Sequence, residues 1–492
     1  MRQLLAAAAL IALNLAACRD SPSQRPAPSG SGAAAGSSGS GGSGGSGASG
    51  GSAVDPWAAA SAPSPPDTPE ARKKRAEAAL GRVSTIEPEV ARLRALAFTR
   101  SVPTRYQSAA EFRTFVRDEI AKDLPGGRSR DVSLAFAHLG LLARPVDLAT
   151  VEEQAMTTQA GAYYSPDAKA FFLVMVPDSA LMLDTITAHE LTHALQDQHF
   201  DLSKYLPSDR SLDDDAASAR RFVVEGDATL VMLLYAMQGV VGGKLPPAAM
   251  TTLERQIEGF AELDVEALKA QSKAQSALFG AMDADIRKSI DAMDDIPPII
   301  LAPLLDAYMK GALVAWIAFQ RGGWASVDAL YRDPPESTEQ VLHPRTKLIP
   351  VRDHPHRVTL ARSAEPELTN NVLGELQWQV YFMLWRSPRA AEASEGWGGD
   401  RYSVTRRKDG RLIGRIATIW DSDADARQFA DAYVATLAVR FPRADPGHPA
   451  AGIARPDGGR VFVRAEGRRV FIVDGADDAG ALDALARTTT FR

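Results

Sequence analysis

The sequence predicts an α+β protein: a mostly helical region over residues 70–366, then a small α+β domain over 367–492 with a four-stranded antiparallel sheet. Three observations carry this. Helical patterns dominate from Glu70 to Phe319, with only one short apolar strand pattern among them. Beyond Glu367, segments Arg401–Arg407 and Leu412–Trp420 alternate like paired strands, as do Arg460–Arg464 and Arg469–Val473. Each pair precedes a helical stretch (Asp423–Phe441 and Gly480–Ala486), so two β-β-α units build one sheet.

The chain opens with the basic Met1-Arg2, an apolar run Leu4–Leu15 and the lipobox Leu15-Ala16-Ala17-Cys18. The apolar run is too short to span a bilayer and reads as a signal peptide over residues 1–17. Cys18 is the single cysteine, which excludes an intrachain disulfide and makes it the expected lipidation site. Arg19 follows it. By resemblance to Gram-negative lipoprotein sorting, this predicts a cell-envelope protein anchored by lipid in the outer membrane. Residues 18–69 form a tether, because Ser29–Ser52 contains only Gly, Ser and Ala and cannot offset chain entropy by burial. The Pro-rich Ala62–Pro66 stiffens its end.

Roughly 420 residues remain, enough for two or three cores. A formal net charge of −6 and a pI near 5.8 argue against nucleic acid as a partner. Helices are expected at 70–98 (interrupted near Pro88), 108–122 and 131–143, with the basic Arg72–Arg75 on a solvated face. Ala170–Val176 is expected as a strand after the Tyr164-Ser165-Pro166 turn, either a core strand or an edge on which an extended peptide pairs. Further helices are expected at 248–294 and 298–321. The apolar runs Ala228–Val241 and Ile299–Phe319 are interrupted or flanked by charges or proline, and so read as core helices, not membrane spans.

The chemistry concentrates in His189-Glu190-Leu191-Thr192-His193, an H-E-x-x-H pattern on a helix. Residues four apart share a helical face, so both imidazoles can aim at one point. Imidazole suits zinc, and a glutamate at that position lies close enough to activate water there. A second helix is expected from a Ser211 cap to about Tyr235, with acidic Asp213–Asp215 in its first turn. Glu225 falls in its apolar middle beside Phe222, Val223 and Val224. A carboxylate there needs a positive partner, either Zn²⁺ or Arg221 one turn back.

The run H-E-L-T-H-A-L-Q-D-Q followed by V-E-G-D-A resembles the gluzincin metallopeptidases. That resemblance spans about residues 160–240. It implies a zincin-like helical core, one Zn²⁺ per chain held by His189, His193 and Glu225, and Glu190 as general base. The segments Tyr164-Ser165-Pro166, Ser337–Pro344 and Gly396–Tyr402 resemble a poorly characterised branch of zinc-protease-like proteins. Thr229 stands where thermolysin-like enzymes place an aspartate that orients a ligand histidine, so Asp227 or Asp197 is expected to take that part. Gluzincins also draw a histidine or tyrosine from downstream to stabilise the oxyanion. His343 is the candidate, with Tyr331, Tyr163 and Tyr164 as competitors. The implied function is a membrane-tethered zinc metallohydrolase acting on peptides or proteins. The alternative is a zinc-containing lipoprotein that serves as an envelope assembly or binding factor without catalysis.

The C-terminal domain offers no ligand set or nucleophile. Asn371–Trp385 reads as a helix and Gly396-Trp397-Gly398-Gly399-Asp400 as a tight turn, with Trp397 either packed or an exposed anchor. Docking of a substrate, support of a lid or a purely structural role are its expected parts.

Overall fold

The computed structural model describes residues 68–124, 126–159, 161–175, 180–209, 211–278, 291–442 and 452–492. The signal peptide, Cys18 and the tether up to residue 67 lie outside the described residues. The protein is α+β, with a mostly helical first part and a sheet-containing second part.

The first helices are α1 (Pro69–Leu80) and α2 (Val83–Arg94). The chain breaks between them at Gly81-Arg82, whose amides close the first helix onto Glu77 and Ala79. Pro88, the expected interruption, lies inside α2. Strand β1 (Thr104–Tyr106) leads to α3 (Ala109–Asp123), which opens on a capping box between Ser108 and Glu111. Then follow α4 (Arg128–Leu139), α5 (Leu148–Gln159), and the hairpin β2 (Ala162–Ser165) and β3 (Ala170–Leu173). The sheet order is β1-β3-β2, with β1 parallel and β2 antiparallel to β3. The apolar strand at 170–173 is therefore the centre of its sheet and has no edge left for a peptide. Three of its four residues are buried, which accounts for its apolar pattern.

The interior is built by α6 (Ala180–Phe200), the single turn α7 (Leu202–Tyr205) and α8 (Asp214–Val241). Outside these come α9 (Pro247–Ala261) and α10 (Val265–Leu278), and then the buried α11 (Pro298–Gly322), α12 (Trp324–Arg332) and α13 (Thr338–Leu342). Helix α11 is long and apolar enough to cross a membrane by composition, but its apolar residues pack in the protein core along α8. Helix α8 is capped by Asp213, whose carboxylate accepts the Ala216 amide at 2.8 Å; Ser211, the expected cap, lies two residues outside.

The second part begins with β4 (Val358–Thr359), β5 (Glu367–Asn371), α14 (Gly374–Leu384) and α15 (Ala390–Ser394). Two β-β-α units follow. One is β6 (Trp397–Arg406), β7 (Leu412–Trp420) and α16 (Asp423–Arg440). After the short β8 (Ile453–Ala454), the other is β9 (Arg460–Glu466), β10 (Arg469–Ala476) and α17 (Gly480–Thr488). Strand β11 (Thr490–Phe491) pairs with β4. Among the described residues the main sheet has six antiparallel strands in the order β5-β6-β7-β10-β9-β8, not the expected four. The two added strands are short edges without alternating burial, which is why periodicity missed them. Alternation along the inner strands sends Ile416, Val470 and Ile472 to the α16 side and Ala417, Phe471 and Val473 to the α17 side.

The expected turn at Gly396–Asp400 is instead the start of β6, carrying a register shift between Trp397 and Gly399. The cause is Asp400. Its buried carboxylate collects the amides of Leu373 and Gly374, both at 2.9 Å, and the indole N–H groups of Trp378 at 3.1 Å and Trp397 at 2.8 Å. Trp397 is thus packed and is no exposed anchor. A second staple joins the two parts: Asp215, in the first turn of α8, accepts the amide and hydroxyl of Thr338, whose hydroxyl oxygen accepts the Leu376 amide of α14 at 3.2 Å. The Ser337–Pro344 motif therefore clamps the start of the helix that carries Glu225, and the Gly396–Tyr402 motif clamps the start of α14.

A further clamp predicts a pH effect. Asp474 on β10 is buried against His138 of α4 and the guanidinium groups of Arg455 and Arg440. Burial would raise its carboxyl, but His138, Arg455 and Arg440 outweigh that and hold it below its ordinary value. Burial, opposed by Asp474, holds His138 below its ordinary value as well. Both folded-state values are depressed, so the unfolded chain takes up the protons first. The contributions are complete above about pH 6.5 for His138 and about pH 4 for Asp474, and each is lost as pH falls through the folded value. Urea midpoints measured from pH 8 to 3 for wild type and His138→Gln are expected to differ in shape. The fall beginning near pH 6.5 should be smaller in the variant, and superimposable profiles would contradict the assignment.

Candidate metal centre

Helix α6 is buried from Leu183 to Asp197 except at Asp184, so its middle is a core element. Two of its threonines are satisfied within the helix: Thr185 and Thr192 donate their hydroxyls to the carbonyls of Leu181 and Ala188. This leaves His189 and His193, one turn apart, facing α8 with ring centroids 4.7 Å apart. Glu225 projects from the buried middle of α8 to meet both, not Arg221. Its Oε2 lies 3.2 Å from Nε2 of His189 and 3.4 Å from Nε2 of His193, and the two nitrogens are 3.1 Å apart. His189, Glu190, His193 and Glu225 are each between 0 and 1% exposed.

These distances fit a metal. Ligand atoms about 2.0–2.1 Å from a common ion at tetrahedral angles stand roughly 3.3–3.4 Å from one another. Two imidazole nitrogens and one carboxylate oxygen also match the donor preference of zinc. Buried, unpartnered oxygens point the same way: neither Oε1 of Glu225 nor Oε1 of Glu190 has a hydrogen-bond partner. Without a cation the cluster must hold a proton instead. Burial would raise Glu225, but His193 and His189 bring it down to about 2. Burial lowers His193, but Glu225 more than compensates and lifts it to about 9. Burial keeps His189 below its ordinary value.

Glu190 is held by the hairpin. The outward amide of Tyr164 on β2 donates to its Oε2 at 2.8 Å, and the Tyr164 hydroxyl donates to Asp197 at 2.7 Å, two turns further along α6. Burial pushes the Glu190 carboxyl up to about 8, with His193 and the Tyr164 amide opposing. Tyr308 of α11 stacks on His189 at 5.5 Å and 22°. Helices α8 and α11 touch backbone to backbone at Gly226 and Gly311, where a Cβ on either would overlap a backbone carbonyl of the other helix. That contact places the residue after Glu225 against α11 with no side chain between.

The other expected residues separate. His343 bonds Glu375 at 2.8 Å, and the groups that raise its pKa are Glu375, Glu339 and Glu395, none of them in the triad. Its stacked polar segment serves the clamp described above. The three competing tyrosines are committed elsewhere: Tyr163 donates to Gln107, Tyr164 to Asp197 and Tyr331 to Asp227. Asp197 anchors the hairpin through Tyr164 and Lys169 and touches neither ligand. Asp227 reaches His193 only through Gln196. Gln196 and Tyr308 were absent from the sequence reading. Gln196 stands three residues after His193, on the same face, and that spacing was a usable signal; Tyr308 comes from a helix remote in sequence and left none.

Residues 362–486 match a family described as a domain of unknown function (DUF8575), which covers the six-stranded sheet and its helices but not the triad. Neither the curated proteins nor the solved structures contain a match to this chain.

Proposed function

We propose that the protein is a zinc metallohydrolase whose substrates are peptides, exported and held at the cell envelope through Cys18. The observation that carries this is the convergence of three donor atoms, 3.1–3.4 Å apart, with the unpartnered carboxylate oxygen of Glu190 on the same helix as two of them. His189, His193 and Glu225 would hold the ion. Zinc, when bound, supplies a Lewis acid that polarises a carbonyl and makes water more acidic. Glu190 accepts the proton of the attacking water and returns it to the leaving amine. The Tyr164 amide fixes one oxygen of Glu190 and leaves the other for this transfer.

One observation favours the second reading, an envelope assembly or binding factor with a structural zinc. All four side chains are closed off from solvent, and a substrate must reach a catalytic centre whereas a structural one can stay buried; three protein ligands, however, are the number catalytic zinc sites use. Glu190 also weighs towards catalysis, since a site that only holds metal has no need of a base beside it.

The test is zinc content by elemental mass spectrometry on the full chain, purified without added metal or chelator. About one zinc per chain is expected, with loss in Glu225→Ala. A folded wild-type chain that takes up no zinc when it is supplied would remove both readings.

A further inference from the structure

We infer that Gln196 and Asp227 are positioning residues that set which nitrogen of His193 faces the triad, an inference that rests on the zinc reading of that triad. The argument begins with the Gln196 amide. Its Nε2 lies 3.0 Å from the Val224 carbonyl and 3.1 Å from Oδ2 of Asp227. Both partners are acceptors at these positions, so the NH₂ end of the amide belongs there. The oxygen end is then obliged to face Nδ1 of His193, at 2.8 Å. A carbonyl oxygen only accepts. Nδ1 therefore carries a hydrogen, and Nε2 is the nitrogen turned towards Nε2 of His189 and Oε2 of Glu225, where its lone pair would be available to a metal ion.

Asp227 is itself fixed. Its Oδ1 lies 2.7 Å from Nε of Arg94, and its Oδ2 accepts the Tyr331 hydroxyl at 2.9 Å. Arg94 is fully buried, pairs also with Asp328 at 2.7 Å, and lies 4.6 Å over the Trp324 ring. A buried guanidinium and a buried carboxylate are expensive apart and compensate each other together. Residues from α2, α8, α12 and α6 thus converge on one imidazole nitrogen. This arrangement replaces a direct carboxylate–histidine contact: the aspartate acts at one remove, through an amide that cannot rotate without burying two like groups against each other.

The experiment compares zinc affinity, by chelator competition, of full-length wild type, Gln196→Met, Asp227→Asn and Tyr331→Phe. Methionine keeps length and loses both amide functions. Gln196→Met is expected to weaken zinc about 10–100-fold, Asp227→Asn less because Val224 still orients the amide, and Tyr331→Phe least. Cobalt(II)-loaded protein supplies a readout that a merely structural role would not move. The paramagnetically shifted, solvent-exchangeable Nδ1–H signal of His193 should be present in wild type and exchange far faster in Gln196→Met. Should Gln196→Met fail to fold, the same two measurements on Asp227→Asn decide the point. Wild type binding zinc, with every folded variant equal to it in affinity and exchange, overturns the relay alone. Wild type binding no zinc overturns the metal reading and the relay with it.

Discussion

Glu190→Gln is expected to keep about one zinc per chain and to lose peptide hydrolysis by about 10²–10⁴-fold, the usual share of a positioned general base. Glutamine has the same shape and can still accept the Tyr164 amide at Oε1, so the hairpin contact survives. What disappears is the ability to take up a proton next to the ligand pair. The replacement is neutral, and Glu190 is no ligand in the triad, so metal retention separates this effect from damage to the site. Turnover of a protease-susceptible peptide pool by wild type and variant, with zinc measured on the same samples, makes the comparison. Equal turnover in the two would remove Glu190 from the chemistry. No turnover in either, with zinc bound in both, would move the protein to the non-catalytic reading that the closed site favours.

Gly226→Ala and Gly311→Ala are each expected to destabilise the protein by about 1–3 kcal/mol or more. Two effects compete. Alanine is intrinsically better than glycine inside a helix by about 0.5–1 kcal/mol. Against that, a Cβ at either position would overlap backbone atoms of the facing helix, which cannot rotate away as a side-chain tip can. The overlap therefore wins, and α8 and α11 must separate. Glu225 is the residue next to Gly226, so separation also draws its carboxylate out of register with His189 and His193. Urea midpoints should fall and zinc affinity should drop in the same variants. An unchanged or raised midpoint in both would mean that the two helices do not meet at these glycines.

The chemistry-bearing residues were legible because they obey local rules. His189 and His193 share a face by helical periodicity alone, and a carboxylate in the apolar run around Glu225 asked for a positive partner before any fold was known. The strand pairs of the second part were legible from alternation, and the burial of α11 from the proline and charges within it. Short edge strands β5 and β8 were not, since two to five residues carry too little periodicity to read. The Gly396–Asp400 segment looked like a turn from its glycines, and became a strand because four donors from three places converge on Asp400.

By itself, then, the sequence determined the α+β class of the fold and placed His189, Glu190 and His193 on one helix and Glu225 in the apolar middle of another. Only the tertiary structure decided what surrounds them. It took His343 and three tyrosines away from the triad, put Tyr308 and Gln196 beside it, and assigned Asp227 a place behind Gln196 with Arg94 as its counter-charge. The reason is physical. Ligand pairs on one helix are fixed by a repeat of a few residues, whereas hydrogen bonds and ring contacts between helices depend on how elements far apart in the chain are packed. The pairing of Arg94 with Asp227 spans more than a hundred residues and has no local signature, yet its two buried charges require each other once the helices meet.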